Sequence, residues 1–134
     1  MQKISIIVNK SMSSGQKANV AAIIMGQLSI NIPSLYGDKV EDISRINHAG
    51  ISVNIVVLDG GSEQLLSLID TAKNNDDIVC CVFSSTGQSL SNSYPEYQKN
   101  ISTMDTRSTG IIGVGLVGDD TVLKPLTKKF SLVK

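Results

Sequence analysis

The chain has no tryptophan, and phenylalanine and tyrosine together make up only 4% of its 134 residues. A platform of aromatic rings for stacking nucleobases is therefore not available. Net charge is lacking as well, since 12 basic residues balance 12 acidic ones. That balance excludes a polybasic nucleic-acid arm and an acidic tail, so nucleic acid is not an expected partner. One histidine, His48, and two adjacent cysteines, Cys80 and Cys81, cannot supply the four ligands of a zinc site. No metal and no cofactor is expected. No apolar run approaches the roughly 20 residues that span a bilayer. After Met1 the chain enters Lys3-Ile4-Ser5-Ile6-Ile7-Val8 with no leader pattern, so no membrane attachment is expected. Neighbouring thiols on a strand point to opposite faces and rarely bridge. Cys80 and Cys81 therefore read as small buried hydrophobes. Free thiols fit a reducing compartment, and the expected location is cytoplasmic.

What is present is 41% hydrophobic residues in a length typical of one domain, here residues 1–134. Residues 3–9 are β-branched on both faces, as in a central strand covered by helices. Ala18, Ala21, Ala22, Met25 and Leu28 recur at helical spacing after the capping residues Ser13 and Ser14, predicting a helix over 14–28. A short segment follows at 40–46, a turn at 47–50 and a β-branched strand at 51–58. Asp59-Gly60-Gly61-Ser62 reads as the cap of a second helix, with Glu63 at its positive end. Residues 78–83 form a buried strand, and the serine-rich stretch 84–93 is a loop or a frayed helix start. Pro95 suits the first turn of a helix to about Thr103, followed by a polar loop over 104–110. Residues 111–117 alternate glycine with bulk, which predicts a strand closely approached by its neighbour. Pro125 limits the next helix to a short turn, and 130–134 is a final edge strand. Strands alternating with helices predict an α/β fold: a three-layer sandwich whose mixed, mostly parallel sheet of four to five strands is flanked by helices.

Ligands of open α/β sheets bind at the carboxyl ends of the strands. There the first strand delivers Asn9, Lys10 and Ser11, and then a helix start with Lys17 and Asn19. The buried strand at 78–83 delivers Ser84, Thr86, Gly87 and Gln88; if the two strands are neighbours, the loops converge. A helix N-terminus beside Lys10 and Lys17 attracts anions, although each lysine also fits a solvated surface cation. Asn19 is mildly unfavourable inside a helix, which suggests a specific hydrogen bond, either to a ligand or to a neighbouring loop. His48 reads as a turn histidine satisfied by backbone rather than a general base. Tyr94 and Tyr97 read as core or lid packing, and Asp119-Asp120 as solvated cap residues. Gly110-Ile-Ile-Gly113-Val-Gly115 lacks the spacing and the following helix of a dinucleotide fingerprint.

Several stretches carry a resemblance in their order and spacing. They are Ile7-Val8-Asn9-Lys10-Ser11, Asn19-Val20-Ala21-Ala22, His48-Ala49-Gly50-Ile51 and Phe83-Ser84 with Thr86. Gly15, Gln88-Ser89, Tyr94-Pro95-Glu96-Tyr97, Gly115-Leu116-Val117-Gly118 and Lys124-Pro125-Leu126-Thr127 complete the set. Together they resemble the domain-of-unknown-function family numbered two thousand, over essentially the whole chain. That family is similar in fold to the type II peptidyl-tRNA hydrolases, which cut the ester between a peptide and tRNA. The echo is a polar loop, a glycine- and lysine-bearing helix start and paired alanines, here Gly15-Gln16-Lys17-Ala18-Asn19-Val20-Ala21-Ala22. Matching the alanines leaves Lys17 for one of the hydrolases' two lysines and Asn19 in place of the other. Their Asp-Ala-Gly-x-Thr stretch is answered only by Asp105-Thr106-Arg107-Ser108-Thr109.

Three functions compete. The first is a domain that binds a small anionic ligand through the first helix N-terminus with Lys10, Ser11, Thr86, Gln88 and Tyr97. The second, implied by the resemblance, is a hydrolase of an ester or amide such as peptidyl-tRNA. In it Lys17 stabilises charge, Asn19 orients substrate or an oxyanion, and Asp105 or Thr106 positions water. The third is an interaction domain, a homodimer being one form of it.

Overall fold

A computed structural model describes residues 1–90 and 92–134. Strand β1 (Gln2–Asn9) lies in the middle of a five-stranded sheet. The other members are β4 (Asn54–Gly60), β5 (Val79–Ser84), β6 (Ile111–Asp119) and the two-residue β7 (Ser131–Leu132). The sheet order is β5-β6-β1-β4-β7. Ile4, Ile6 and Val8 pack on one face of β1 and Ile7 on the other, all fully buried. Burial on both faces is why four of its eight residues, Ile4, Ile6, Ile7 and Val8, are β-branched.

The expectation of a mostly parallel sheet is corrected. Only β1 and β4 run parallel, whereas β1–β6, β5–β6 and β4–β7 are antiparallel. An apolar run reports burial on two faces but says nothing of direction. Short helices between β5 and β6 return the chain alongside β5 in the opposite sense, where a crossover was expected. The sheet is mixed and mostly antiparallel.

Helix α1 (Ser14–Asn31) covers one face, with Lys17, Val20, Ile24 and Leu28 as its inward stripe. Ser13 caps it reciprocally with Gln16. The glycines of β6 admit this helix: a Cβ on Gly113 would stand 2.6 Å from Val20 Cγ1 and 2.7 Å from Ile24 Cδ1. Helices α2 (Ser62–Lys73) and α6 (Asp120–Thr127) cover the other face, around Ile7, Leu65, Leu116 and Leu123. The helices therefore flank the sheet in three layers. No helix among the described residues is long and apolar enough to cross a membrane.

Three local expectations change. Helix α6 does not stop at Pro125 but runs on to Thr127, closing with Lys128 N–H to Lys124 O at 3.1 Å. Proline costs it one bond, to the Thr121 carbonyl, which lies in a first turn already held by the Asp119 cap. The segment at 40–48 is a hairpin of β2 (Val40–Glu41) and β3 (Asn47–His48). The stretches at 84–93 and 104–110 contain short helices, α3 (Ser85–Ser89) and α5 (Thr106–Thr109), on either side of α4 (Tyr94–Ser102). Asp105 caps α5, and Gly110 ends it at φ +75°, a conformation that favours glycine.

One buried group stands out in β1. Ser5 is fully buried, and its hydroxyl has no hydrogen-bond partner among the described residues. An orphaned buried hydroxyl costs about 1–3 kcal/mol. Ser5→Ala is therefore expected to stabilise the fold by about 1 kcal/mol in urea unfolding. A loss of stability would show that a water or a rotated neighbour satisfies it.

Candidate functional site

Strand β1 feeds α1 on one face of the sheet, while its parallel neighbour β4 feeds α2 on the other. The chain therefore parts at the carboxyl ends of these two strands, leaving the crevice that ligands of α/β sheets use. Asn9 fastens the two ends together. Its Oδ1 accepts from the Ser11 N–H at 3.0 Å and from the Ser11 hydroxyl at 2.8 Å. Its Nδ2 donates to Ser62 Oγ at 3.0 Å. The Lys10 N–H bonds the Gly60 carbonyl at 2.9 Å.

The start of α2 is open. Its N-cap is Gly61, which has no side-chain oxygen, so no side chain caps the helix. Gln64 Oε1 accepts the Gly61 N–H at 2.9 Å, and the Leu65 N–H bonds the Gly61 carbonyl at 3.0 Å. The first-turn N–H groups between them carry the positive end of the helix dipole. Lys10 lies alongside: a Cβ on Gly61 would be 3.7 Å from Lys10 Cε.

Two ion pairs border the crevice. Lys17 Nζ stands 2.9 Å from Asp59 Oδ1, with only 9% and 12% of the two side chains exposed. That approach is a charge contact off the hydrogen-bonding directions, for Asp59 Oδ1 has no aligned donor. Arg107 forks onto Glu63 at 2.7 and 3.2 Å, across from α5 to the first turn of α2. The guanidinium holds the Glu63 carboxyl below its usual range. Each pair is neutral as a unit. Lys10 is exposed and has no acidic partner among the described residues, so its cation is uncompensated.

The expected catalytic residues do not assemble. Lys17 points inward to Asp59 on the α1 side of the sheet. Asn19, two positions on and so about 200° around the helix, is exposed and makes no hydrogen bond among the described residues. Asp105 is committed as the cap of α5, accepting the Ser108 N–H at 2.8 Å, and that bond depresses its carboxyl pKa. Thr106 is exposed beside it, and both line a cleft of about 350 Å³ against Asp70 and Lys73 of α2.

The expected binding residues split in the same way. Lys10 and Ser11 lie at the crevice, but Thr86 and Gln88 sit half-buried on α3, and Tyr97 packs on Gly87 from α4. The first and third long strands are not neighbours: β6 lies between β1 and β5, so their ends are about 10 Å apart, two strand spacings. Asp59 belongs to β4 rather than to a helix cap. Alternation along β4 could have shown this, because an aspartate facing the covering helix needs a cation, and Lys17 lies on that helix's inward stripe. His48 pairs with a carboxylate rather than backbone, Nε2 to Asp42 Oδ2 at 2.8 Å on the exposed hairpin. Cys80 and Cys81 face opposite sides of β5 and are unbridged, and burial pushes the Cys80 thiol up to about 11.

The fold has a solved counterpart. A protein of unknown function from Agrobacterium tumefaciens strain C58 superposes with a TM-score of 0.84 over 98% of this chain and 96% of that one. The two are 19% identical in sequence, so the likeness is one of fold. No curated protein sequence matches the chain. The family described as "Protein of unknown function (DUF2000)" matches residues 2–134, from the first residue of β1 past the end of β7, and the chain belongs to that family.

Proposed function

We propose that the protein binds a small anionic ligand, carrying a phosphate or carboxylate, in the crevice between the carboxyl ends of β1 and β4. The observation that carries this reading is the side-chain-free N-terminus of α2 beside the unpaired Lys10. Open N–H groups, the helix dipole and one uncompensated cation add in the same place. Ser11 and Ser62, held through Asn9, offer hydroxyls at the rim. The buried Lys17–Asp59 pair forms the floor and contributes no net charge. The two unbridged thiols support work in a reducing compartment, the cytoplasm.

Titration with inorganic phosphate and with phosphorylated metabolites, followed by calorimetry and thermal shift, tests the reading. Saturable binding that weakens about tenfold or more in Lys10→Ala is the expected result, the scale of one charge-assisted hydrogen bond. Binding that is unchanged in that variant, or absent for every phosphate and carboxylate tried, rejects the site.

The second reading is a hydrolase acting on peptidyl-tRNA or a similar ester, on a type II peptidyl-tRNA hydrolase-like fold. It is favoured by the lysine and aspartate held together at the carboxyl ends of the parallel pair, and by the resemblance that leaves Lys17 in a matching place. Turnover of peptidyl-tRNA by the purified chain, lost in the folded double variant Lys17→Met with Asp59→Leu, would put this reading first. Lack of turnover at high protein concentration leaves the binding reading in place.

A further inference from the structure

The geometry points to a second binding site at the carboxyl end of β5, shaped for an uncharged, benzene-sized group that carries one hydroxyl. A cavity of about 180 Å³ opens there, walled by Val82, Ile101, Met104 and Ile111. An apolar cavity of about 150 Å³ is large enough to take up benzene, so a six-membered ring and one further atom fit this volume. Met104 adds a wall that adapts to shape.

Two hydroxyl residues set the polarity. Ser84 and Thr109 both line the cavity and are 4% and 6% exposed. Ser84 Oγ accepts the Gly87 N–H at 3.0 Å, and its own proton has no acceptor among the described residues. Thr109 Oγ1 donates to the Thr106 carbonyl at 2.7 Å and accepts nothing among them. One residue thus keeps a spare donor and the other a spare acceptor. A ligand hydroxyl, which accepts and donates at once, answers both. No lining residue carries a charge at neutral pH, so an ion entering would lose its hydration with nothing in exchange.

The local backbone is built for such a recess. The pairing steps from Phe83↔Gly113 to Ser84↔Ile111, which makes Ile112 an extra residue and β6 bulged. Bulges of this kind recur beside binding sites, where they re-aim side chains. Tyr97 half-closes the recess, its ring seated on Gly87, where a Cβ would be 3.1 Å from Tyr97 Cε1. Strand β6 separates this recess from the crevice at β1 and β4, so the two sites are independent.

Amide NMR of the full chain, titrated with phenol, toluene and benzoate, tests the assignment. Phenol is expected to shift the Ser84, Gly87 and Thr109 amides saturably, toluene to bind at least fivefold more weakly, and benzoate to leave them unmoved. Ile101→Trp, which fills the recess, should abolish the phenol shifts while the response to inorganic phosphate persists. Thr109→Val, which keeps the shape, should weaken phenol several-fold and leave toluene unchanged. Equal shifts from benzoate and phenol, phenol shifts that survive Ile101→Trp, or a Thr109→Val loss shared by toluene would overturn the proposal.

Discussion

Lys17→Ala is expected to lower the unfolding free energy by about 3–5 kcal/mol, because it leaves the Asp59 charge buried without its counter-ion. The pair gains little from its own attraction once the cost of dehydrating two ions is counted. What makes the single change severe is the partner left behind. Asp59→Ala strands the ammonium instead and should cost a similar amount. Replacing both, as Lys17→Met with Asp59→Leu, should return stability to within about 1 kcal/mol of the natural chain or above it. Urea unfolding of the four proteins checks these three expectations. Single losses below about 1 kcal/mol would mean that water reaches the pair and that it is equivalent to a surface bridge.

Gly115→Val is expected to cost about 3 kcal/mol, the upper part of the range for overpacking. A Cβ at Gly115 would run into Ile24 Cγ2 and stand 3.0 Å from Leu28 Cδ1, and both of those side chains are buried. Neither can swing into solvent, so α1 would have to lift off the sheet. The glycine at position 26 of the same helix gives the opposite sign. It is exposed, with no atom within 4 Å of an added Cβ, and Gly26→Ala should stabilise by about 0.5–1 kcal/mol. Thermal unfolding of the two variants separates crowding from backbone entropy. A tolerated Gly115→Val would show that α1 slides along β6 at little cost.

Some of this was legible in the sequence, and the reasons are local. The β-branched residues of β1 declare burial on two faces, whereas the spacing of Ala18, Ala21, Ala22, Met25 and Leu28 declares the helix but not its inward face: Ala18 and Ala22 are exposed, and Lys17, Val20, Ile24 and Leu28 turn inward. Gly113 and Gly115, two apart in β6, point to a close neighbour, which is α1. Direction was not legible, because an apolar strand reads the same either way along the sheet. The insertion of β6 between β1 and β5 decided which loops could meet, and no feature within either loop encodes it. Lys17 was visible as a candidate, but its tie to Asp59 joins residues 42 positions apart, and only the sheet pairing brings them together. Gly61 read as part of a cap; its lack of a side chain matters because Lys10 arrives beside it from another strand.

The central position of β1 has a consequence for synthesis. Ile6 pairs with Gly115, so β1 waits for about a hundred further residues before its antiparallel neighbour exists. At about 5–20 residues per second, the interval is roughly 5–20 s. Until then β1 has α1 on one face and, once residue 60 is made, β4 along one edge, while its other edge stays open. When β6 is made it joins β1 to β5 and closes the middle of the sheet.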